Sequence, residues 1–301
     1  MRIWRKLHLL LGASVWLLTL AASGVQGSAT QEVDVMQIRY WNGTAARDSY
    51  ELALLLLALD KTAADYPPFN ITRLEADLGS DRARHELARG ELINIYAAPY
   101  RARVGEVETQ IVQVPNPLLK GLLGYRNLII REKDLARFEQ ISNKEELKPI
   151  LIGQGRSWPD VAIYRHNGLQ VMDEGLFSNL FAMLSLGRFD CLPLGVVEAK
   201  ATLAAFDGDK LDLTIAPDLL LYYPWPVLFQ ISGKHPLLAE RVTKGLALAA
   251  KDGSFDALFD HYYGELVEQL REQESKMIVL ENPTLKEKMG LQEPQLTALG
   301  L

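Results

Sequence analysis

The apolar and polar positions of the chain switch repeatedly between a strand period of two and a helix period near 3.6. Residues 37–41 predict a strand, which Asn42-Gly43-Thr44 breaks. A helix is expected over 48–62, with Asp48 or Ser49 near its start and Glu51 in its first turn. A second strand is expected over 70–76, and a helix over 82–89, opened by Ser80 or Asp81 and stopped by Gly90. A third short strand falls over 92–96. Strand, helix, strand, helix, strand is the grammar of a parallel sheet with helices on its faces.

The pattern then changes character. Residues 111–115 are extended and end in Pro115-Asn116-Pro117. Strands are expected over 126–131, 150–152, near Val171, over 189–194 and over 211–215, with helices over 142–147, from Ser157-Trp158-Pro159-Asp160, over 178–186 and over 197–206. Residues 222–231 are extended, aromatic and interrupted by Pro224 and Pro226. Two long helices, 236–251 and 254–272, flank Asp252-Gly253, and an irregular tail follows from Lys276. The order implies an α/β chain of two lobes, the second inserted into the first, with two extended hinge crossings near 112–117 and 221–224. The expected boundaries are 28–122 with 222–275 for lobe one, 123–221 for lobe two, and 276–301 for the tail.

The segment before the first strand is an export signal by its order of residue types. Arg2, Arg5 and Lys6 precede an apolar run over 9–22, and a small-residue stretch follows from Ser23 to Ala29. The run is shorter than the roughly 20 residues that span a bilayer. Cleavage is expected between Gly27 and Ala29, giving a signal peptide over 1–27. No cysteine near the cut offers a lipid attachment point, so the expected location is a periplasm without a lipid anchor.

Composition narrows the chemistry. The chain is 48% hydrophobic with a net charge of −6, which suits a packed core and argues against nucleic acid as a partner. Its single cysteine, Cys191, permits no internal disulfide and reads as a buried core residue. The five histidines show no metal-ligand spacing, and neither a nucleophile elbow nor a phosphate loop is present, so no metal or cofactor is expected.

Several strings, in order, resemble the type II periplasmic substrate-binding proteins, specifically solute-binding protein family 3. Val112 to Pro117 resembles that family's extended VDFSxP hinge strand, and Leu147 to Gly155 its passage into the second lobe. Leu186-Gly187-Arg188-Phe189-Asp190 resembles the LxxGRxD string, Tyr222-Tyr223-Pro224 with Phe229 the return strand, and Ala250 to Phe255 the link between the last helices. The resemblance implies a two-lobe trap for a small ligand. It also exposes two departures. The arginine that amino-acid binders place four residues before the hinge valine is Glu108 here, with Arg101 and Arg103 nearby. The acid expected five residues after Asp190 is Gly195, with Glu198 as the nearest acid. Both anchors of a free α-amino acid are altered, and a buried unpaired ligand charge is costly.

The candidate ligand-binding residues are Tyr40 and Trp41 at the end of the first strand, Arg101 and Arg103 as anion holders, Gln154 and Gly155 at a helix start, and Trp158 and Tyr222 as aromatic walls. Each also has a structural reading: a hydrophobic lip, a solvated loop pair, a plain turn, packing across the hinge. Asp160 is read as an acid complementing a helix dipole, and Asp190 as structural. The expected function is a monomeric solute-binding protein that closes on a small polar or anionic solute for delivery to a membrane permease. A sensory protein presenting its closed form to a membrane receptor is the alternative. A dehydratase-like enzyme, with Glu108 or Asp190 as general acid, is the second alternative, and no catalytic constellation supports it.

Overall fold

The computed structural model describes residues 34–76, 78–272 and 275–285. The signal peptide expected over 1–27 and residues 286–301 of the tail lie outside them. Two sheets organise the described chain. The first is built from β1 (Met36–Trp41), β2 (Phe69–Leu74), β3 (Ile95–Pro99), β4 (Ile111–Gln113) and, much later in the chain, β10 (Val227–Ser232). Its order is β2-β1-β3-β10-β4. β1 runs parallel to β2 and β3, and β10 runs antiparallel to β3 and β4. Helices α1 (Ala45–Asp60), α2 (Ser80–Arg89) and the short α3 (Glu106–Thr109) join the first four strands. Gly90 ends α2 at φ 68°, a left-handed conformation that glycine adopts without a Cβ penalty.

The second sheet holds everything between β4 and β10. Its strands are β5 (Tyr125–Arg131), β6 (Leu151–Gly155), β7 (Gln170–Gly175), β8 (Cys191–Gly195) and β9 (Leu213–Tyr222). Helices α4 (Leu135–Glu139), α5 (Lys144–Leu147), α6 (Asp160–His166), α7 (Phe177–Ser185) and α8 (Ala199–Ala205) connect them. One lobe is thus inserted into the other. The two crossings lie side by side: Tyr223 N–H donates to the Gly124 carbonyl at 3.2 Å. A Cβ on Gly124 would sit 2.5 Å from the Tyr223 carbonyl oxygen, so glycine is required for that approach.

After β10 the chain returns to the first lobe as α9 (Pro236–Lys251) and α10 (Ser254–Glu272). Tyr50 of α1 packs edge-on against Phe259 and Tyr263 of α10. The backbone of α9 lies so close to α1 that a Cβ on Gly245 would overlap the Ala58 carbonyl. The tail then departs from expectation. Residues 276–279 are not irregular but form β11 (Lys276–Val279), parallel to β9 at the edge of the second sheet, whose order is β11-β9-β5-β8-β6-β7. Leu280 is buried behind it, and the Asn167 side-chain amide donates to the Glu281 carbonyl at 2.8 Å.

Other differences have local causes. Helix α1 begins at Ala45, and Asp48 is the acid of its first turn rather than its opening residue. β3 lies three residues later than expected at both ends, and β7 is six residues long where a short strand near Val171 is expected. β9 begins at Leu213 and runs unbroken through Pro217 to Tyr222, well past the expected end at Ile215. The pairing of β5 with β9 shifts register between Asn127 and Ile129, and Asp218 adopts φ 50°. The proline therefore sits in a bulge, the place where a sheet tolerates it.

Candidate functional site

In both sheets the parallel strands bring their carboxyl ends to the same region of the molecule, where open α/β sheets present their ligand sites. The first lobe contributes the end of β1, the start of α1 and the residues after β3. The second contributes the start of α6 and the turn between β8 and α8. These elements meet through a buried cluster of charged side chains. Arg126, the second residue of β5 after the crossing, is 3% exposed and lies 3.1 Å from the Asp160 carboxylate of α6. Its guanidinium rests over the rings of Tyr223 at 5.0 Å and Trp225 at 5.1 Å. Tyr223 donates to the same carboxylate at 2.5 Å and stands 3.0 Å from the Tyr164 hydroxyl. Arg126 reaches Glu198 at 3.9 Å, and Glu198 reaches Arg47 of α1 at 3.9 Å, which joins the two lobes. Arg47 closes the chain on Glu51 one turn along its own helix, at 3.1 Å.

Burial sets the protonation of this cluster. Burial pushes the Glu51 carboxyl up to about 7, with Arg47 and the Asn42 amide opposing the rise. Burial also pulls on the Arg126 guanidinium, but Tyr223 and the Asp160 and Glu198 carboxylates outweigh it and hold the cation firmly protonated. An arginine is almost never fully buried without such partners.

Arg101 is the cation of the region that stands apart. It emerges two residues beyond β3, at the carboxyl end of the first sheet. Its backbone is clamped by Gln113, which accepts from the Arg101 N–H at 3.3 Å and donates to the Arg101 carbonyl at 2.7 Å. Its guanidinium donates to Ser80 Oγ at 3.1 Å and forms no ion pair among the described residues. Partial desolvation, then the neighbouring Arg84, lowers its affinity for the proton, while Tyr96 and Asp81 of its own lobe and, least, Asp160 of the opposite lobe act in the other sense. The preceding Tyr100 carbonyl accepts from Trp225 Nε1 at 3.1 Å, which ties this loop to the ring that carries Arg126.

The other sequence candidates are placed as follows. Tyr40 is fully buried in the core, its hydroxyl accepting from the Asn42 amide at 3.0 Å. Trp41 donates to the Ala76 carbonyl at 2.8 Å and packs edge-on to Tyr96. Both line a cavity of about 300 Å³ where the carboxyl ends of β1 and the edge strand β2 meet the start of α1, with Asn42, Asp48, Arg73 and Ala76 among its walls. Its charges satisfy one another, since Arg73 pairs with Asp48 and, at 3.5 Å, with Glu75. Arg103 is exposed and donates to the Thr109 carbonyl at 3.2 Å, apart from the buried cluster. Trp158 is half-buried against Phe177 and folds over Gly155, where a Cβ would meet its ring at 2.5 Å. Gln154 is fully buried, and neither of its amide atoms has a hydrogen-bond partner among the described residues. Alternation along β6 places it on the face of Ile152, opposite Gly153 and Gly155. Tyr222 is buried against Tyr125, ring centroids 4.8 Å apart. The acid at the start of α6 is the chain's own Asp160, and it is an ion-pair partner of Arg126 rather than only a dipole complement.

Glu108 is paired with Arg84, and Asp190 with Arg131 and Arg137 while accepting from the Leu151 N–H at 2.9 Å. Sequence reasoning passed over Arg47 and Arg126 and read Glu51 only as a first-turn helix acid, a place that Asp48 holds in α1. The available signals were an Arg-to-Glu spacing of four in α1 and a charge heading the apolar run of β5.

No family model and no curated protein sequence matches this chain. Solved structures do. An ancestral arginine-binding protein bound to glutamine is similar with a TM-score of 0.54 at 16% identity, over 76% of this chain and 98% of the other. The VFT2 domain of BvgS from Bordetella pertussis, as a double mutant, gives 0.54 at 16%, over 76% and 93%. A periplasmic His/Glu/Gln/Arg/opine family-binding protein from Silicibacter pomeroyi, in complex with lysine, gives 0.53 at 11%, over 76% and 97%. The chain has the two-lobe, type II periplasmic-binding-protein fold that these structures share.

Proposed function

We propose that the chain is an exported solute-binding protein that closes on one small polar or anionic solute between its lobes and delivers it to a membrane permease. The observation that carries this reading is Arg101, a cation without an ion pair among the described residues, held at the carboxyl edge of the first sheet and next to Tyr100, whose carbonyl accepts from the Trp225 ring that carries Arg126. The order of residue types over 1–27 supports export to a periplasm. Lobe boundaries at 28–122 with 222–275 and at 123–221 belong to the same proposal. A second reading, a sensory module that signals to a membrane receptor, is favoured by the similarity to the BvgS domain. The thermal midpoint of the purified chain, measured against a panel of small metabolites, tests the binding reading. A ligand at 100 times its Kd adds about 2.7 kcal/mol and raises the midpoint by several degrees. A panel without any stabilising solute would sink the reading.

A further inference from the structure

We propose that the solute is a small organic carboxylate that carries no ammonium group, and that Arg126 is the residue that excludes amines. The inference rests on the binding reading above and names its ligand class. An ammonium ligand needs a carboxylate with accepting capacity turned toward it. Three acids lie in the buried cluster, and the chain's own cations face each of them. Asp160 accepts from Tyr223 and pairs with Arg126 at 3.1 Å. Glu198 faces Arg126 and Arg47, each at 3.9 Å, and accepts from the Gly195 N–H at 3.3 Å. Glu51 pairs with Arg47 at 3.1 Å and accepts from the Asn42 amide.

Arg126 is fixed in this role. It is 3% exposed and held between two acids and the faces of Tyr223 and Trp225. An ammonium brought to these acids meets a guanidinium already there, and like charges at short range repel. Arg101 reverses the requirement, because its charge lacks a partner carboxylate among the described residues. A planar guanidinium matches a carboxylate with two parallel hydrogen bonds. The region where the lobes meet therefore complements a negative charge, and among the described residues its buried acids are all faced by cations.

Calorimetric titration with matched pairs decides the matter: 2-oxoglutarate against glutamate, succinate against aspartate, and pyruvate against alanine. The amine-free member is expected to bind at least tenfold more tightly. Arg101→Gln is expected to weaken it at least tenfold while leaving the ligand-free thermal midpoint unchanged. Arg126→Met, which frees Asp160 and Glu198, is expected to move the preference toward the amine-bearing member. Equal or tighter binding of the amine-bearing member by the unmodified protein overturns the inference, and so does unaltered carboxylate binding by Arg101→Gln. If the metabolite panel returns only amine-bearing or uncharged solutes, the ligand class is wrong and the binding reading stands. If it returns no solute at all, both fall.

Discussion

Glu51 illustrates how a single buried acid shapes this protein. Burial lifts its carboxyl from an ordinary value of 4.5 to about 7, so the folded chain holds a proton that the unfolded chain releases. The contribution is full below pH 4.5 and is lost as pH rises through about 7, because the unfolded state binds fewer protons in that window. At about 1.36 kcal/mol per pKa unit, the loss is on the order of 3 kcal/mol. Glu51→Gln is expected to flatten that part of the stability-versus-pH curve, measured by urea unfolding between pH 4.5 and 8. An unchanged slope would assign the proton elsewhere. Arg126 makes the complementary case. Removing it leaves Asp160 and Glu198 without their shared cation, and breaking a buried pair from one side costs about 3–5 kcal/mol. Urea unfolding of Arg126→Met at pH 7 should show a loss of that size.

At the scale of elements, two contacts hold the architecture in ways that can be tested one at a time. Gly245 lets α9 approach the α1 backbone at Ala58. Gly245→Ala is expected to cost roughly 1–3 kcal/mol, the usual penalty of overpacking, and a thermal midpoint equal to that of the unmodified chain would show that the helices simply part. Strand β11 is the second. Ending the chain at residue 275 removes the parallel partner of β9 and the buried Ile278 and Leu280. Exposed β-strand edges template association. The shortened chain should melt earlier and associate with itself, seen by light scattering.

Much of this level was legible in the sequence. Gly90 and Gly187 end helices where their residue type predicts, and the alternation of β1 reads correctly from residue 37. What was hidden depended on tertiary partners. The continuation of β9 beyond Ile215 was hidden because its bulge at Pro217 is defined only by pairing with β5 around residues 127–129, far away in sequence. β11 has four residues, too few to show a period, and its pairing with β9 decides its state.

At the scale of the whole molecule, the two-lobe plan was readable from element order, while the charge map of the site was not. Arg101 was legible, since loop arginines after a parallel strand are candidate anion holders. Arg126 was not, because nothing local tells a strand that its first charged residue will meet α6, the β8–α8 turn and two aromatic rings. Tyr40 and Trp41 read equally as ligand platform or as packing, and both now carry hydrogen bonds to their own lobe. On the proposed function, one solute is held between the lobes rather than in the side cavity of the first. Hydrogen–deuterium exchange with the solute that most raises the thermal midpoint tests it most directly. Slowed exchange is expected on both sides together, in residues 98–103 of one lobe and in 155–161 with 195–199 of the other. Protection confined to 40–48 and 73–76, around the side cavity, would contradict it.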